Sequence, residues 1–361
     1  MRAAIPADDP WITPSAWPAW RALLRHVLVA TDAHRTLVEV EQDIAWLLYR
    51  AGKYLQTRGE PAAAQPLFER SVELRRAMLG EDHPDTLESA GALPFNLCEL
   101  GKYEQAHQLD EDLLARCRRV LGADHSQTLE AATNLGVALR YLGQYEQAYQ
   151  LAKHTVARRC QILGLDHPDT LRSAFIFALA SWGLGYYQTA RQLGEDTLTR
   201  MRQVLGANHP YTLRSVMPLG LALWGLGYYE QARQLGEDTL TRMRQVLGAD
   251  NPQTLRMASI LELALDGLGQ HEPARQLGED TLTRMLHVLG ADHPDTLRSA
   301  TILGGTLGKL RQSERARKLG EDSLVRRGRP RARAPQCGLD QAARCRSRRG
   351  GPYSLHLRLR R

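Results

Sequence analysis

Apolar residues along this chain fall three or four positions apart over long blocks, and short turns containing glycine separate the blocks. Between 103 and 121 the apolar residues Tyr103, Ala106, Leu109, Leu113, Cys117 and Val120 step by three or four. That spacing predicts one helix with a single buried stripe. Two other blocks, 173–185 and 215–227, are apolar on nearly every side. A helix of that kind needs cover all round, so its residues either fill contacts between long neighbouring helices or line a ligand groove.

The blocks repeat. A Leu-Gly pair followed by an acidic or amide residue, His and Pro returns every 42 residues, with its glycine at Gly80, Gly122, Gly164, Gly206, Gly248 and Gly290. The turns read EDHPDTL, ADHSQTL, LDHPDTL, ANHPYTL, ADNPQTL and ADHPDTL. A second series, Gly59, Gly101, Gly143, Gly185, Gly227 and Gly269, keeps the same step, and Arg311 takes its next place. Two turns per unit give two helices per unit, A and B.

Turn chemistry assigns the helix ends. Glycine after a helix supplies the left-handed conformation that closes its last carbonyls. Asp82, Asp124, Asp166, Asn208, Asp250 and Asp292 then stand where an N-cap is wanted, and Pro84, Pro168, Pro210, Pro252 and Pro294 suit a first helical turn. Asp85, Asp169 and Asp295 add negative charge at the positive end of the helix dipole. Pro94 and Pro218 fall inside A helices and should kink them. The expected elements are a helix around 16–30, a divergent hairpin at 41–79, five regular hairpins to 289 and a truncated last unit to about 326.

LGQYEQA at 142–148 and LGYYEQA at 226–232, together with LGxDHPDTL, resemble the 42-residue tetratricopeptide repeats of the kinesin light chain type over residues 41–326. The resemblance implies an all-α fold, a right-handed α-α superhelix of tetratricopeptide helix hairpins, and a protein-binding scaffold without enzymatic activity or cofactor. Small Ala106, Ala148, Ala190, Ala232 and Ala274 near the start of each B helix fit it, since they let paired helices approach closely. SWPAWRALLRHVLVATD at the N-terminus, followed by residues 43–80, resembles the junction into the C-terminal repeat arm of bacterial STAND (NB-ARC-type) NTPase regulators. The chain then reads as a detached sensor arm, with a STAND NTPase or another regulatory protein as partner.

Charge adds a competing possibility. The net charge of +7 at pH 7 is concentrated after residue 325, where Arg-rich sequence contains Asp340 as its one acid. The rest of the chain is mildly acidic, so a basic nucleic-acid footprint is absent from the repeats. Residues 327–361 read as a disordered tail, and nucleic-acid binding through that tail is the alternative function. Residues 1–40 form a linker and helix, and residues 41–326 the repeat array. Five cysteines without a CxxC pair argue against a disulfide framework or zinc site. With no leader-like segment and no apolar span, a cytoplasmic location and no membrane partner are expected.

Candidate chemistry is thin. GGTLGKL at 304–310 lacks the spacing of a phosphate loop and lies in an A helix. The recurrent histidines His83, His125, His167, His209 and His293 sit one per turn, with Asn251 in the same place, which indicates a turn role before a metal or acid-base role. Cys117 falls in the core stripe. Adjacent carboxylates such as Glu195 and Asp196 point to different helix faces and make no catalytic couple.

The inner, A-helix surface remains. One column runs Glu88, Glu130, Arg172, Arg214, Arg256 and Arg298. Others contain Phe95, Val137, Leu179, Leu221 and Leu263, and Arg140, Trp182, Trp224 and Asp266. Arg172, Phe175, Leu179, Trp182, Arg214, Leu221, Trp224 and Arg256 would together bind a protein or peptide with acidic and large apolar side chains. Asn134 is what survives of the paired asparagines that family members carry in this helix.

Overall fold

The computed structural model describes residues 13–32 and 40–328. The Arg-rich segment after Gly328, with the role and disorder expected of it, lies outside the described residues. The first helix, α1 (Trp17–Ala30), precedes the repeats. Seven hairpins follow: α2 (Glu41–Thr57) with α3 (Pro61–Leu79); α4 (Pro84–Ala90) and α5 (Ala92–Glu99) with α6 (Tyr103–Val120); α7 (Ser126–Tyr141) with α8 (Tyr145–Leu163); α9 (Pro168–Gly183) with α10 (Tyr187–Leu205). The array continues as α11 (Pro210–Arg214) and α12 (Val216–Gly225) with α13 (Tyr229–Val246), α14 (Pro252–Gly267) with α15 (His271–Val288), and α16 (Pro294–Lys309) with α17 (Ser313–Gly328). No strand occurs among the described residues. The last hairpin has both helices, and α17 runs to Gly328, the last described residue, close to the expected end at about 326.

The A helices of the second and fifth hairpins are each in two pieces, broken at Gly91 and Ser215. Each break lies three residues before the proline that causes it, Pro94 or Pro218. A proline has no N–H for the carbonyl four residues back, and its ring presses on that turn.

One expectation about the caps is corrected. The N-cap of every A helix from α4 to α16 is the residue after the predicted Asp: His83, His125, His167, His209, Asn251 and His293. Each histidine accepts, through Nδ1, a hydrogen bond from the backbone N–H two residues on, at 3.1–3.3 Å. Asn251 Oδ1 does the same to Gln253 at 2.9 Å. The preceding acids point outward to the next B helix, where Arg116 meets Asp82, Arg158 Asp124, Arg200 Asp166 and Arg284 Asp250.

The B-helix stripe holds at four of its six positions, Tyr103, Ala106, Leu113 and Cys117. Leu109 and Val120 are 45% and 40% exposed, while Asp110 is fully buried between Ala106 and Leu113. A period of 3.6 carries the seam through 106, 110, 113 and 117, so Tyr103, Ala106, Leu113 and Cys117 of the predicted stripe are buried and Leu109 and Val120 fall beside it. The alanines at 106, 148, 190, 232 and 274 are fully buried, as close helix pairing requires. Cys117 is a core thiol at the position held elsewhere by Met201, Met243 and Met285.

The array closes on itself after one superhelical turn. Asn251 Nδ2 donates to the Arg58 carbonyl at 3.2 Å, across 193 residues, and His293 Nε2 lies 3.2 Å from the Glu99 carbonyl, across 194. At Gly59 an added Cβ would sit 2.5 Å from Pro252 Cδ, and at Gly101 it would strike Pro294. Glycine is thus needed at 59 and 101 both for positive φ, +78° and +73°, and for this close approach.

Candidate functional site

Because of that closure, the A-helix columns line an enclosed lumen rather than an open groove. Two cavities, of about 640 and 960 Å³ including space open to solvent, meet at Phe175 and Arg214, which line both. The first is bordered by Phe95, Asn134, Val137 and Arg172, the second by Leu179, Trp182, Leu221, Arg256 and Leu263. Eight of the nine residues singled out in the sequence therefore come together. Trp224 lines neither cavity and packs, half-buried, beside Leu221 in the cluster of Trp182, Ala190 and Ala222.

The charges inside the lumen are mostly matched. Arg172 pairs with Glu130, which also takes Arg159 at 3.1 Å. Arg256, 6% exposed, binds Glu99 across the superhelical turn at 2.9 Å and Asp295 on the next A helix at 2.7 Å. Burial works against its charge, but the two carboxylates hold its pKa well above the ordinary value. Burial likewise opposes the Asp295 carboxylate, and Arg256 and Arg298 keep it ionised with a lowered pKa. A column of free arginines is thus corrected: removing one member of such a buried set leaves an uncompensated charge, so Arg256 is tied into the fold.

Arg214 differs. Its guanidinium lies 5.5 Å from the Phe95 ring centre and 5.2 Å from that of Phe175, a cation held between aromatic faces. Among the described residues no acid forms an ion pair with it, and its Nε has no hydrogen-bond partner. Desolvation lowers its pKa. Arg140 stands over the Tyr141 ring at 3.8 Å and also has an unpartnered Nε. The Trp182 Nε1–H, buried in the lining, is unpartnered too. Asn134 is spent internally: its amide donates to the Gly91 carbonyl at 3.1 Å, where the A helix before it breaks.

Catalytic alternatives find no geometry. Burial raises the pKa of the Cys98, Cys117 and Cys160 thiols, the reverse of an activated nucleophile. Glu195 and Asp196 turn to Arg191 and Arg200 on different faces of α10. Residues 304–309 are helical. No group of three or more His, Cys, Asp or Glu is placed to hold a metal among the described residues, and no helix there is long and apolar enough to cross a membrane.

Sequence reasoning missed the residues that close the lumen, namely Arg58, Glu99 and Gln253. The one visible signal was Asn251, the single departure from histidine at the cap.

A family model for the tetratricopeptide repeat matches residues 43–112, 95–161, 133–203 and 215–287. No curated protein matches the chain. Among solved structures, NprR in complex with its cognate peptide NprX is similar at 13% identity and a TM-score of 0.59, over 87% of this chain and 89% of that one. The nearly identical repeats of a putative kinesin light chain from Podosopora anserina match at 26% identity and a TM-score of 0.44, over 57% and 97%. A STAND protein with a tetratricopeptide repeat sensor from Pyrococcus horikoshii matches at 12% identity and 0.47, over 86% and 52%. The hairpin that the turns repeat is thus the one the family model finds over most of the array, and the chain belongs to the tetratricopeptide repeat family.

Proposed function

We propose that this protein is a non-catalytic scaffold that binds a peptide or protein segment inside its superhelix, acting as a cytoplasmic sensor or regulatory arm of the STAND type. The observation that carries the reading is the lumen itself, an apolar surface of Phe175, Leu179, Trp182 and Leu221 with Arg214 and Arg140, which form no ion pair among the described residues and have unpartnered Nε atoms. Unmatched buried charge and unpaired buried donors cost stability. Their persistence in a cavity suits a ligand that supplies the partners. The family is commonly a protein-interaction scaffold, and the similarly folded NprR is found with a peptide. The regulatory setting rests on the N-terminal resemblance to STAND arms.

The test is photo-crosslinking to a displayed random-peptide library, with benzoylphenylalanine in place of Leu221 in the lumen or of Ile162 on the outer surface. Capture through position 221 and not 162 is the expected result. Capture through position 162 alone would place the binding surface outside and contradict the proposal.

A further inference from the structure

The contact that closes the superhelix joins two kinds of turn, and the chain carries further copies of both. One is the turn from a B helix into the next A helix. Asn251 and His293 cap α14 and α16 there and reach the carbonyls of Arg58 and Glu99, while Pro252 and Pro294 lie against Gly59 and Gly101. The other is the end of an A helix, whose last carbonyls have no intrahelical donor and whose glycine has no Cβ to hold a proline off. The contact leaves Asn251 and His293 only 6% and 7% exposed, and Leu247 nearby packs against the cluster of Leu47, Ala51 and Tyr54.

The same parts stand uncovered at the two ends of the molecule. His167–Leu171 repeats His293–Leu297 residue for residue and makes the same Nδ1 cap, yet His167 is half-buried, and His125 one hairpin earlier is exposed. Leu163, in the place of Leu247, is exposed, as is Leu165. At the opposite end Gly227 and Gly269 have φ of +83° and +78° with nothing within 4 Å of an added Cβ, and Tyr228 is exposed beside the first of them. Leu226 and Leu268 stand there in the place of Arg58. Caps and glycines are both 42 residues apart, so two of each come in the register of the pairs that close the molecule.

We infer that the partner of these ends is a second copy of this chain, docked end to end, with the turns at His125 and His167 of one copy seated on Gly227 and Gly269 of the next. Since Nδ1 of each histidine accepts the cap bond, Nε2 carries the proton and donates to a carbonyl at the end of the A helix opposite. Pro168 lies over Gly269 as Pro252 lies over Gly59, and Leu163, Leu165 and Tyr228 leave water together. The two surfaces are different and lie at opposite ends of each copy. The contact is therefore heterologous, leaves one end of each kind unused at every stage, and extends the superhelix as an open stack. The inference continues the closing contact and uses no residue of the lumen, so it stands apart from the proposed function.

The test is sedimentation equilibrium of the full-length protein over a series of concentrations, with one variant for each end. Leu165→Glu spoils the cap end and Tyr228→Glu the glycine end, and both side chains are exposed, so neither change disturbs the core. Leu163→Glu and Gln270→Glu replace them if circular dichroism shows a loss of helix. The unaltered chain should grow past the dimer as its concentration rises. Each variant alone should associate about tenfold more weakly or not at all. Mixed together, the two variants still hold one intact end of each kind, and they should form a particle of two chains that grows no further. An unaltered chain that stays a monomer throughout would overturn the inference. So would a variant that associates like the unaltered chain, which would place the contact elsewhere or make it symmetric, or a mixture that remains monomeric.

Discussion

A histidine that caps a helix through Nδ1 has Nε2 left over, and its proton must then be on Nε2. At His293 that proton reaches the Glu99 carbonyl one superhelical turn back, and at Asn251 the amide does the equivalent for Arg58. The cap and the closing contact are therefore one side chain, and Asn can replace His because it has the same pair of an acceptor and a donor. In a turn away from the closure, His167→Asn should be nearly neutral and His167→Ala should cost about 1 kcal/mol in urea unfolding. Asp166→Ala should cost less than His167→Ala, since the acid holds an exposed ion pair with Arg200. Burial lowers the His293 pKa, among Asp295, Arg256 and Glu99. The folded state then resists protonation, so the His293 contribution is complete above about 6.5 and is lost as pH falls below it toward the depressed folded value. His293→Asn should keep the contact and flatten that acid slope. Glu262 runs the other way. It is buried in α14 where other A helices have Gly136, Ala178 or Gly220, in space that Gly278 leaves open, and both carboxyl oxygens lack partners. Burial, then Asp266, push its pKa from 4.5 to about 9. The unfolded chain ionises first as pH rises, so this residue reduces stability progressively between those two values. Glu262→Gln should raise the unfolding free energy at pH 8 by about 1 kcal/mol or more, and no gain at that pH would contradict a neutral buried acid.

Helices were legible because their boundaries are written in local chemistry. Glycine at the C-terminal ends, proline at the first turns and the positions of Pro94 and Pro218 set ends and breaks that the structure reproduces. What slipped was two positions of one B-helix stripe, Leu109 and Val120, and the identity of the caps. Asp110 is polar by type and buried by position, so a reading that follows apolar letters puts Leu109 on the seam in its place. Histidine is a rare cap, and an Asp next to it drew the assignment. Pairing of A and B helices also depends on small residues that one sequence shows only as a series. Gly183, Gly225 and Gly267 each lie under a tyrosine of the preceding B helix, Tyr145, Tyr187 and Tyr229. Where Tyr141 takes that place it stacks on Tyr103 at 4.5 Å. A Cβ at Gly267 would be 2.5 Å from the Tyr229 ring. Gly267→Ala should therefore destabilise the array by about 1–3 kcal/mol, although alanine favours helix, and a gain in thermal stability would contradict the packing.

At the scale of the molecule, periodicity gives the neighbour of each helix but not the curvature, and curvature decides whether the inner surface is a groove or a lumen. Eight of the nine inner residues singled out in the sequence line the two cavities, yet the sequence treated the arginine column as uniformly free, because Glu99 lies 157 positions from Arg256 and no local rule connects them. Neighbouring A helices pair Arg172 with Glu130, closure pairs Arg256 with Glu99, Asp295 takes Arg298, and Arg214 forms no ion pair among the described residues. The glycines at 59 and 269 test closure directly, since both have φ of +78° and differ in surroundings: Pro252 stands 2.5 Å from an added Cβ at 59, and nothing lies within 4 Å at 269. Alanine at either position meets the same backbone strain. The measurement is the difference in unfolding free energy between Gly59→Ala and Gly269→Ala under one set of conditions. If the superhelix closes, Gly59→Ala costs about 1–3 kcal/mol more, whereas equal losses would mean that the first and sixth hairpins do not meet and that the lumen is open.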